Sequence, residues 1–390
     1  MEETTMSTLN TNPYGTALPR QSVVELISRG NPSQVVCVLG KTGSGKSALL
    51  DEVVAKCRDL YPDVGYNGFF LDGLAMQEGD LTIPAVGKES GVIELQIQKH
   101  IHDNMVAKPS VVMIDEASKM PKGIKRQVGT LIRERRIGAF QLHADTKIFL
   151  TGNLSEEGFG DAFDPTQWNR MTTVELQAMT GEEWVKSYAI PNKLHYNVIY
   201  VANELSKELA LSFRDKDAKK YNTNAERQAD MPHMFDPKVP RNQFTTFRSL
   251  ELASNICYDM DVLGKQTTYH ALCGTVGQFT TDMIFRAITL GDKLPSLTDV
   301  ETNPNDCKLA ERGACATIMV HKLLNGISTE NYKAIWTYLQ RMDVDAQLMF
   351  VELLKGHSRD GATLFKSLGA IKSFTEWCVK NADLFRADKV

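Results

Sequence analysis

The spacing of apolar residues divides the chain into two stretches of different character. From residue 18 to about residue 188, short apolar runs rich in β-branched residues alternate with helical patterns. This alternation is typical of an α/β domain with a largely parallel sheet. The apolar runs predict strands over residues 34–40, 65–72, 110–115, 146–153 and 171–176, and the patterns between them predict helices over 46–59, 91–105 and 121–135.

After Gly181 the strand pattern disappears, and apolar residues recur at helical spacing. A polar stretch over residues 214–241, which contains Pro232, Pro237 and Pro240, predicts a long loop. Helical spacing returns over 244–290 and, after a break that contains proline and asparagine, over 307–388. We therefore expect a flexible leader over residues 1–17, an α/β domain over 18–188, and two helical regions over 189–290 and 291–390.

Composition and charge narrow the setting in which the chain works. Its 390 residues are 42% hydrophobic and 24% charged, as in a globular protein of two or three domains. We expect neither secretion nor a membrane span, because the N-terminus lacks a signal pattern and the apolar runs are short. Seven scattered cysteines without a C-x-x-C pair favour a cytoplasmic location and oppose a zinc site. The net charge of −4 gives no general attraction to nucleic acid.

The first candidate for chemistry is a glycine- and lysine-rich stretch, GKTGSGKS, at residues 40–47. It matches the G-x-x-x-x-G-K-[ST] pattern, in which glycines let backbone N–H groups point at phosphate oxygens at the start of a helix. Lys46 brings a positive charge to the transferred phosphate, and the Ser47 hydroxyl completes the coordination of Mg²⁺. For Lys41, a solvated position is a simpler interpretation than a second phosphate contact. The residues expected to form the loop around the nucleotide are Gly40, Lys41, Thr42, Gly43, Ser44, Gly45, Lys46, Ser47 and Ala48.

Polar residues at the ends of two later strands supply the rest of a candidate site. SVVMIDE ends in Asp115 and Glu116, and TKIFLTGN ends in Asn153. Asp115 can hold Mg²⁺ through water, and Glu116 can orient and polarise an attacking water molecule. Asn153 offers a carboxamide to the γ-phosphate or to that water if its strand lies beside the metal-binding strand. A structural role at the strand end explains Asn153 equally well.

Two arginines are further candidates for contact with the nucleotide. Arg170, in WNRM before the last predicted strand, could face the nucleotide of a neighbouring subunit. Arg248, in TTFRSLELAS at the start of a helix, could reach the γ-phosphate from above. Taken alone, each is more often an arginine in a surface ion pair.

Together these segments resemble the AAA+ ATPases, and within them the MoxR-like branch, over residues 35–385. GKTGSGKS is similar to Walker A, VVMIDE to Walker B, FLTGN to the sensor 1 strand and TTFRSLELAS to the sensor 2 helix. MQEGDLTIPAVG is similar to the segment before the extra helix of that branch. The resemblance implies a P-loop core with a parallel five-stranded sheet, followed by an all-helical lid and a C-terminal helical region.

The resemblance also implies ligands and residue roles. ATP and Mg²⁺ would be bound by the phosphate loop, with Lys46 as a catalytic cation and Ser47 and Asp115 on the metal. Glu116 would be the catalytic base, and Asn153 would be the sensor 1 residue.

The same resemblance makes Arg248 the sensor 2 residue and Arg170 the arginine finger. The chain departs from the usual D-R-F or N-R-F pattern of the finger, since it reads T-Q-W-N-R-M. A second set of basic residues lies where a finger from a neighbouring subunit could sit. These residues, in RERRIG, are Arg133, Arg135 and Arg136.

The leading hypothesis is a Mg²⁺-dependent ATPase that forms a ring, of six subunits by the resemblance, and remodels a protein partner as a chaperone does. Family members often act with a protein that carries a von Willebrand factor A-type domain. A nucleic-acid motor or loader is the alternative, and the dense basic stretch at 122–136 is its support, although no DNA-binding module is recognisable. A second alternative is a nucleotide-dependent switch without turnover, which would have no need of Glu116.

Overall fold

The chain folds as two units in the computed structural model, which describes residues 17–86, 92–154, 169–236, 243–310, 313–356 and 361–382. Contacts divide the chain into residues 1–178 and 179–390. The division falls before the predicted boundary at residue 188, so the helix Gly181–Trp184 belongs to the second unit. Of the predicted leader, only Ala17 lies within the described residues.

The first unit is built on a five-stranded sheet in which all neighbouring strands are parallel. The order of strands across it is β2-β5-β8-β1-β9. The α/β class and the five predicted strands are confirmed, and most strands are slightly shorter than predicted. The strands of the unit are β1 (Val36–Gly40), β2 (Asn67–Asp72), β3 (Ile83–Val86), β4 (Ile93–Gln96), β5 (Ser110–Asp115), β6 (Arg136–Ile137), β7 (Phe140–Gln141), β8 (Lys147–Asn153) and β9 (Thr172–Glu175).

Helices cover both faces of this sheet, because successive side chains of a buried strand point to opposite faces. On β1, Val36 and Val38 join the apolar cluster of the first two long helices, α1 and α2. Cys37 and Leu39 join the opposite cluster, which includes α4. The helices are α1 (Arg20–Arg29), α2 (Leu49–Leu60), α3 (Lys99–Ile101), which continues as a π-helix over His102–Val106, and α4 (Lys122–Glu134).

The predicted helix over residues 91–105 is wrong over its first half. Residue 91 lies outside the described residues, and β4 follows as one arm of an antiparallel hairpin with β3. Apolar Ile93 and Leu95 alternate there with polar Glu94 and Gln96, which is the period of a strand. Helical structure begins only at Lys99.

The second unit is all helical among its described residues, with one hydrophobic core. That core contains Ile199 and Leu250 from the first predicted helical region and Trp336 and Phe350 from the second. The division at residue 290 therefore lies within a shared core, and two separate helical regions stay a prediction. No helix among the described residues is long and apolar enough to cross a membrane. The helices are Gly181–Trp184 with the π-helix Val185–Ala189, Tyr196–Glu204, Ser206–Ala210, Phe213–Asp217, Asn224–Ala229, Phe247–Tyr258, Met260–Leu263, Lys265–Val276, Gln278–Gly291, Leu297–Thr302, Ala314–Gly326, Tyr332–Leu339, Val344–Gly356, Gly361–Gly369 and Lys372–Lys380.

Short helices occupy two segments predicted to be irregular. The expected loop over 214–241 contains the helix Asn224–Ala229 and most of Phe213–Asp217, and residues 237–242 lie outside the described part. The break after residue 290 contains Leu297–Thr302. Each of these helices starts at a serine or threonine whose hydroxyl accepts a backbone N–H, and such capping supports a helix too short to show apolar periodicity.

Candidate active site

The glycine-rich loop follows β1 and turns into α2. Gly43 and Gly45 have φ of 75° and 76°, a left-handed conformation that glycine adopts without steric penalty. After Gly45 a 3-10 turn over Lys46–Ala48 leads into α2. The loop therefore bends at its glycines and presents the start of a helix at the carboxyl end of the sheet, as the sequence predicts.

The Lys46 side chain lies inside this loop and is 7% exposed. Its Nζ donates to the carbonyl oxygens of Gly40 and Lys41 and to Oδ1 of Asn153, each at 2.9 Å. The last contact follows from the sheet, since β1 and β8 are neighbours and Gly40 is in register with Asn153. The structure thus brings together two of the predicted site residues from positions far apart in the chain.

A second group of oxygen atoms gathers around Asp115 at the end of β5. The Ser47 hydroxyl donates to Oδ2 of Asp115 at 3.0 Å, and the Thr151 hydroxyl donates to Oδ1. Thr151 is a site residue that sequence reasoning missed. It lies two residues before Asn153 on β8, so the alternation of a strand that neighbours β5 was the signal that could have found it.

Glu116 adopts a left-handed backbone conformation, with φ of 50° and ψ of 35°. Such values are uncommon for residues other than glycine and are found often at functional sites. Nδ2 of Asn153 donates to Oε1 of Glu116 at 3.1 Å, and Nζ of Lys119 lies 3.0 Å from Oε2. The sequence analysis also missed Lys119, for which the spacing of three residues after Glu116 was the only signal.

Asn153 thus contacts two site residues, since its Oδ1 accepts from Lys46 and its Nδ2 donates to Glu116.

Arg20, at the start of α1, is another contact of the loop that the sequence did not reveal. Its guanidinium donates to the Gly45 carbonyl oxygen at 3.1 Å and forms an ion pair with Glu52 of α2 at 2.8 Å. Valines and an isoleucine at helical spacing after Arg20 were the signal for α1. The contact itself depends on the packing of α1 against α2.

The arginines predicted as fingers have different surroundings. Arg170 is exposed in a turn before β9, at the opposite end of the sheet from the loop after β1. Arg135 is turned into its own unit, where it donates to the carbonyl oxygens of His143 at 3.1 Å and Thr146 at 2.7 Å, which removes it from the candidates. Arg133 and Arg136 both pair with Glu134.

Arg248 lies in the second unit, as the second residue of the helix Phe247–Tyr258, and it is exposed. Thr246 begins this helix, since its hydroxyl accepts the backbone N–H of Ser249. The loop after β1 belongs to the first unit. The role of Arg248 at the nucleotide therefore stays a prediction.

The loop and the adjoining strand ends fit an oxyanion and a hard cation. The Ser44 hydroxyl is buried within the loop and has no hydrogen-bond partner among the described residues. A buried hydroxyl of this kind suits a phosphate oxygen. Ser47 and Asp115 offer the oxygen ligands that Mg²⁺ prefers, and both lie at the same edge of the sheet.

Comparisons with known proteins give distant likenesses only. No protein-family profile matches the chain, and no curated protein matches it. Hsp104, solved in its closed state with ATPγS and FITC-casein, has a TM-score of 0.35 and 16% identity over 62% of this chain and 43% of its own. A point mutant of RuvB from Thermotoga maritima has a TM-score of 0.32 and 14% identity, over 66% of this chain and 80% of its own. NtrX from Brucella abortus with ADP has a TM-score of 0.36 and 13% identity, over 91% and 67%.

This chain thus spans less than half of the Hsp104 chain that it matches. Identities and TM-scores this low support no conclusion about function, which has to rest on the geometry of the site.

Proposed function

We propose that this protein is a Mg²⁺-dependent ATPase of the AAA+ class, and within it of the MoxR-like branch. The observation that carries the proposal is the contact of Asn153 with both Lys46 and Glu116. It joins the phosphate-binding loop to a carboxylate that can activate water, in the arrangement that hydrolysis of a phosphoanhydride needs. A loop that only turned a strand into a helix would not need these three side chains in contact.

Each residue then has a role in binding or in proton transfer. The loop over 40–48 holds the phosphates through its backbone N–H groups, and the Ser44 hydroxyl and Lys46 ammonium add donors. Ser47 and Asp115 hold Mg²⁺, which supplies charge neutralisation for the phosphates when bound. Glu116 orients the attacking water and accepts its proton, and Asn153 positions that water.

The catalytic carboxylate must change its contacts before it can do this work. Glu116 is held by Asn153 and Lys119 in this structure. A carboxylate that already accepts hydrogen bonds from an amide and an ammonium has fewer lone pairs available for water. We propose that binding of the γ-phosphate draws Lys46 and Asn153 toward that anion and frees an oxygen of Glu116.

The proposed assembly is a ring, of six subunits by the resemblance to the MoxR-like branch. Support comes from Arg170, which is exposed and lies at the end of the sheet that its own phosphate loop does not occupy. An arginine in that position serves a nucleotide only if another copy of the chain brings its loop there. An arginine donated in this way raises phosphoryl-transfer rates by about 10³–10⁵.

We further propose that the ring remodels a protein partner, for which a protein with a von Willebrand factor A-type domain is one candidate. The alternative of a nucleic-acid motor was based on the basic residues of the stretch 122–136. The structure gives several of these residues partners within the chain. Arg135 is committed to backbone carbonyls, and Arg133 and Arg136 share Glu134. These arginines are thus already engaged within the chain, which leaves fewer basic side chains of this stretch for contacts with phosphates.

The deciding experiment is the solution mass of Glu116→Gln with and without Mg·ATP, beside the turnover of the wild-type chain and of Lys46→Ala. We expect Glu116→Gln to bind ATP, stall before hydrolysis and shift from small species to a closed ring. In the same assays Arg170→Ala should bind ATP normally and hydrolyse it poorly.

Each other outcome favours a different hypothesis. A mass that stays monomeric with Mg·ATP would contradict the ring. Turnover of the wild type no higher than that of Lys46→Ala would favour the nucleotide-dependent switch. Stimulation of turnover by DNA would favour the nucleic-acid motor.

A further inference from the structure

Gly73 is a buried residue that follows β2 and lies against the backbone of the two site carboxylates. β2 and β5 are parallel neighbours, and Asp72 is in register with Asp115. One residue later, the backbone N–H of Gly73 donates to the carbonyl oxygen of Asp115 at 2.8 Å. The hydrogen bond fixes the peptide that joins Asp115 to Glu116.

The backbone at Gly73 lies so close to residues 115, 116 and 120 that there is no space for a side chain. A Cβ added to Gly73 would lie 2.6 Å from the Asp115 carbonyl oxygen and 3.2 Å from the Glu116 carbonyl oxygen. On a third side it would lie 2.9 Å from Cγ of Met120. Met120 has a flexible side chain, but the two carbonyl oxygens are backbone atoms and move only with the peptides that carry them.

The peptide between the carboxylates also sets where Glu116 points. Glu116 has its uncommon backbone conformation next to this contact, and in that conformation its carboxylate accepts a hydrogen bond from Asn153. A displacement of the Asp115 carbonyl rotates the peptide and carries the Glu116 side chain with it. The direction of the carboxylate is thus determined in part from the neighbouring strand.

We propose that Gly73 is a positioning residue for Glu116, a role that rests on the proposed ATPase activity. The absence of a side chain at Gly73 lets β2 close on the 115–116 peptide, and the Gly73 N–H holds that peptide in place. Gly73 has no side chain with which to bind a ligand. It acts through the placement of the catalytic base, and catalysis is sensitive to such placement, with a loss of about 100-fold for a misplacement of about 1 Å.

The test compares Gly73→Ala with Gly68→Ala on the same strand. A Cβ at Gly68 would meet side-chain atoms only, Cγ2 of Val54 at 3.3 Å and Cγ of Leu50 at 3.4 Å. Three quantities are measured for both variants: kcat and KM for ATP, the Kd for a fluorescent Mg·ATP analogue, and the melting temperature.

We expect Gly73→Ala to lower kcat by about 10- to 100-fold, with KM and Kd within about threefold of the wild type. Gly68→Ala should keep kcat within about twofold even if its melting temperature falls. Wild-type kcat in Gly73→Ala would overturn the positioning role. The role is also overturned if Gly73→Ala loses only stability or ATP affinity and keeps its kcat.

A double variant keeps the test decisive if Gly73→Ala does not fold. Adding Met120→Ala removes the Cγ atom that the new methyl group would meet. The close contacts with the carbonyl oxygens of Asp115 and Glu116 stay in place. Turnover that stays at least about tenfold below that of Met120→Ala alone supports the proposal, and recovery to that level overturns it.

A failure of the activity itself looks different. Wild-type turnover no higher than that of Lys46→Ala overturns the ATPase and with it this role. Clear wild-type turnover together with an active Gly73→Ala overturns the role of Gly73 alone.

Discussion

Lys46 in the first unit and Lys216 in the second are both buried, and their surroundings differ. Lys46 in the first unit is 7% exposed and donates to two backbone carbonyls and an amide oxygen. Lys216 in the second unit is 2% exposed and lies 3.7 Å from the carboxylate of Asp236, which Arg227 also contacts at 2.9 Å. Burial lowers the pKa of Lys216, and the negative charge of Asp236 opposes that shift.

Under the proposed function, the difference separates a buried charge that serves a ligand from one that serves the fold. The three hydrogen bonds described for the Lys46 ammonium orient it with neutral oxygens, and an incoming phosphate would add its own attraction to that charge. In the second unit, the negative charge of Asp236 offsets the positive charges of Lys216 and Arg227. Removing Lys46 should therefore affect binding and leave the fold, whereas removing Asp236 should affect the fold.

The largest effect is expected for Lys46→Ala. The variant should lose ATP binding by at least about 100-fold, since a charge-assisted contact to phosphate disappears with the cation. Its free energy of unfolding should fall by only about 1–3 kcal/mol, because the variant loses hydrogen bonds from the ammonium to neutral oxygens and leaves no buried charge unpaired. Titration with a fluorescent ATP analogue and urea unfolding measure the two quantities.

The matched control for this prediction is Lys41→Ala in the same loop, which should stay within about threefold of the wild type in ATP affinity. Destabilisation of Lys46→Ala as large as that of Asp236→Asn would break the comparison between the two lysines.

The next effect is expected for Asp236→Asn in the second unit. The substitution leaves Lys216 and Arg227 buried without their carboxylate, and breaking a buried pair in this way destabilises by about 3–5 kcal/mol. The urea midpoint, followed by circular dichroism, measures the change. Asp230→Asn is the control, since its partner Lys219 is 47% exposed, and it should lower stability by about 1 kcal/mol or less. Equal midpoints for the two variants would contradict the prediction.

The smallest effect, counted for one histidine and one pH unit, concerns buried groups that are neutral. Burial lowers the pKa of His195 to about 4 and that of His321 to about 3, from 6.5 in the unfolded chain. Below pH 6.5 the unfolded chain binds protons that the folded unit excludes, so stability is full above that pH and falls toward pH 4. Each histidine should lower the free energy of unfolding by about 1.4 kcal/mol per pH unit over this window.

Hydrogen exchange in the second unit at pH 7 and pH 5 measures this slope. His321→Gln should make this slope shallower. An unaltered slope in His321→Gln would show that the buried imidazole is not its source.

The sequence predicted the part of the site that depends on local geometry. The glycines, Lys46 and Ser47 form one continuous turn, and Asp115 and Asn153 end strands whose carboxyl ends must meet in a parallel sheet. The structure brings these residues together, and their roles remain a proposal. Arg170 and Arg248 are not local to the loop, so the sequence could name them only as candidates.

The parts that the sequence did not predict depend on register and on packing between elements. Thr151 and Arg20 reach the site because of strand order and helix packing, which no single segment encodes. β4, one arm of the hairpin with β3, was assigned to a helix because it is only four residues long. In so short a segment the strand and helix periods are hard to tell apart.

The order of strands in the sheet has a consequence for how the protein is made. β1 leaves the ribosome before β8 and β9, but it lies between them in the sheet, and its residue Leu39 pairs with Glu175. The glycine-rich loop that follows β1 cannot take its final shape until most of the first unit has been translated. The proposed nucleotide binding would thus be available only to a nascent chain that has already closed its sheet. From that moment bound ATP would stabilise the newly made unit by mass action, while the helical unit is still being synthesised.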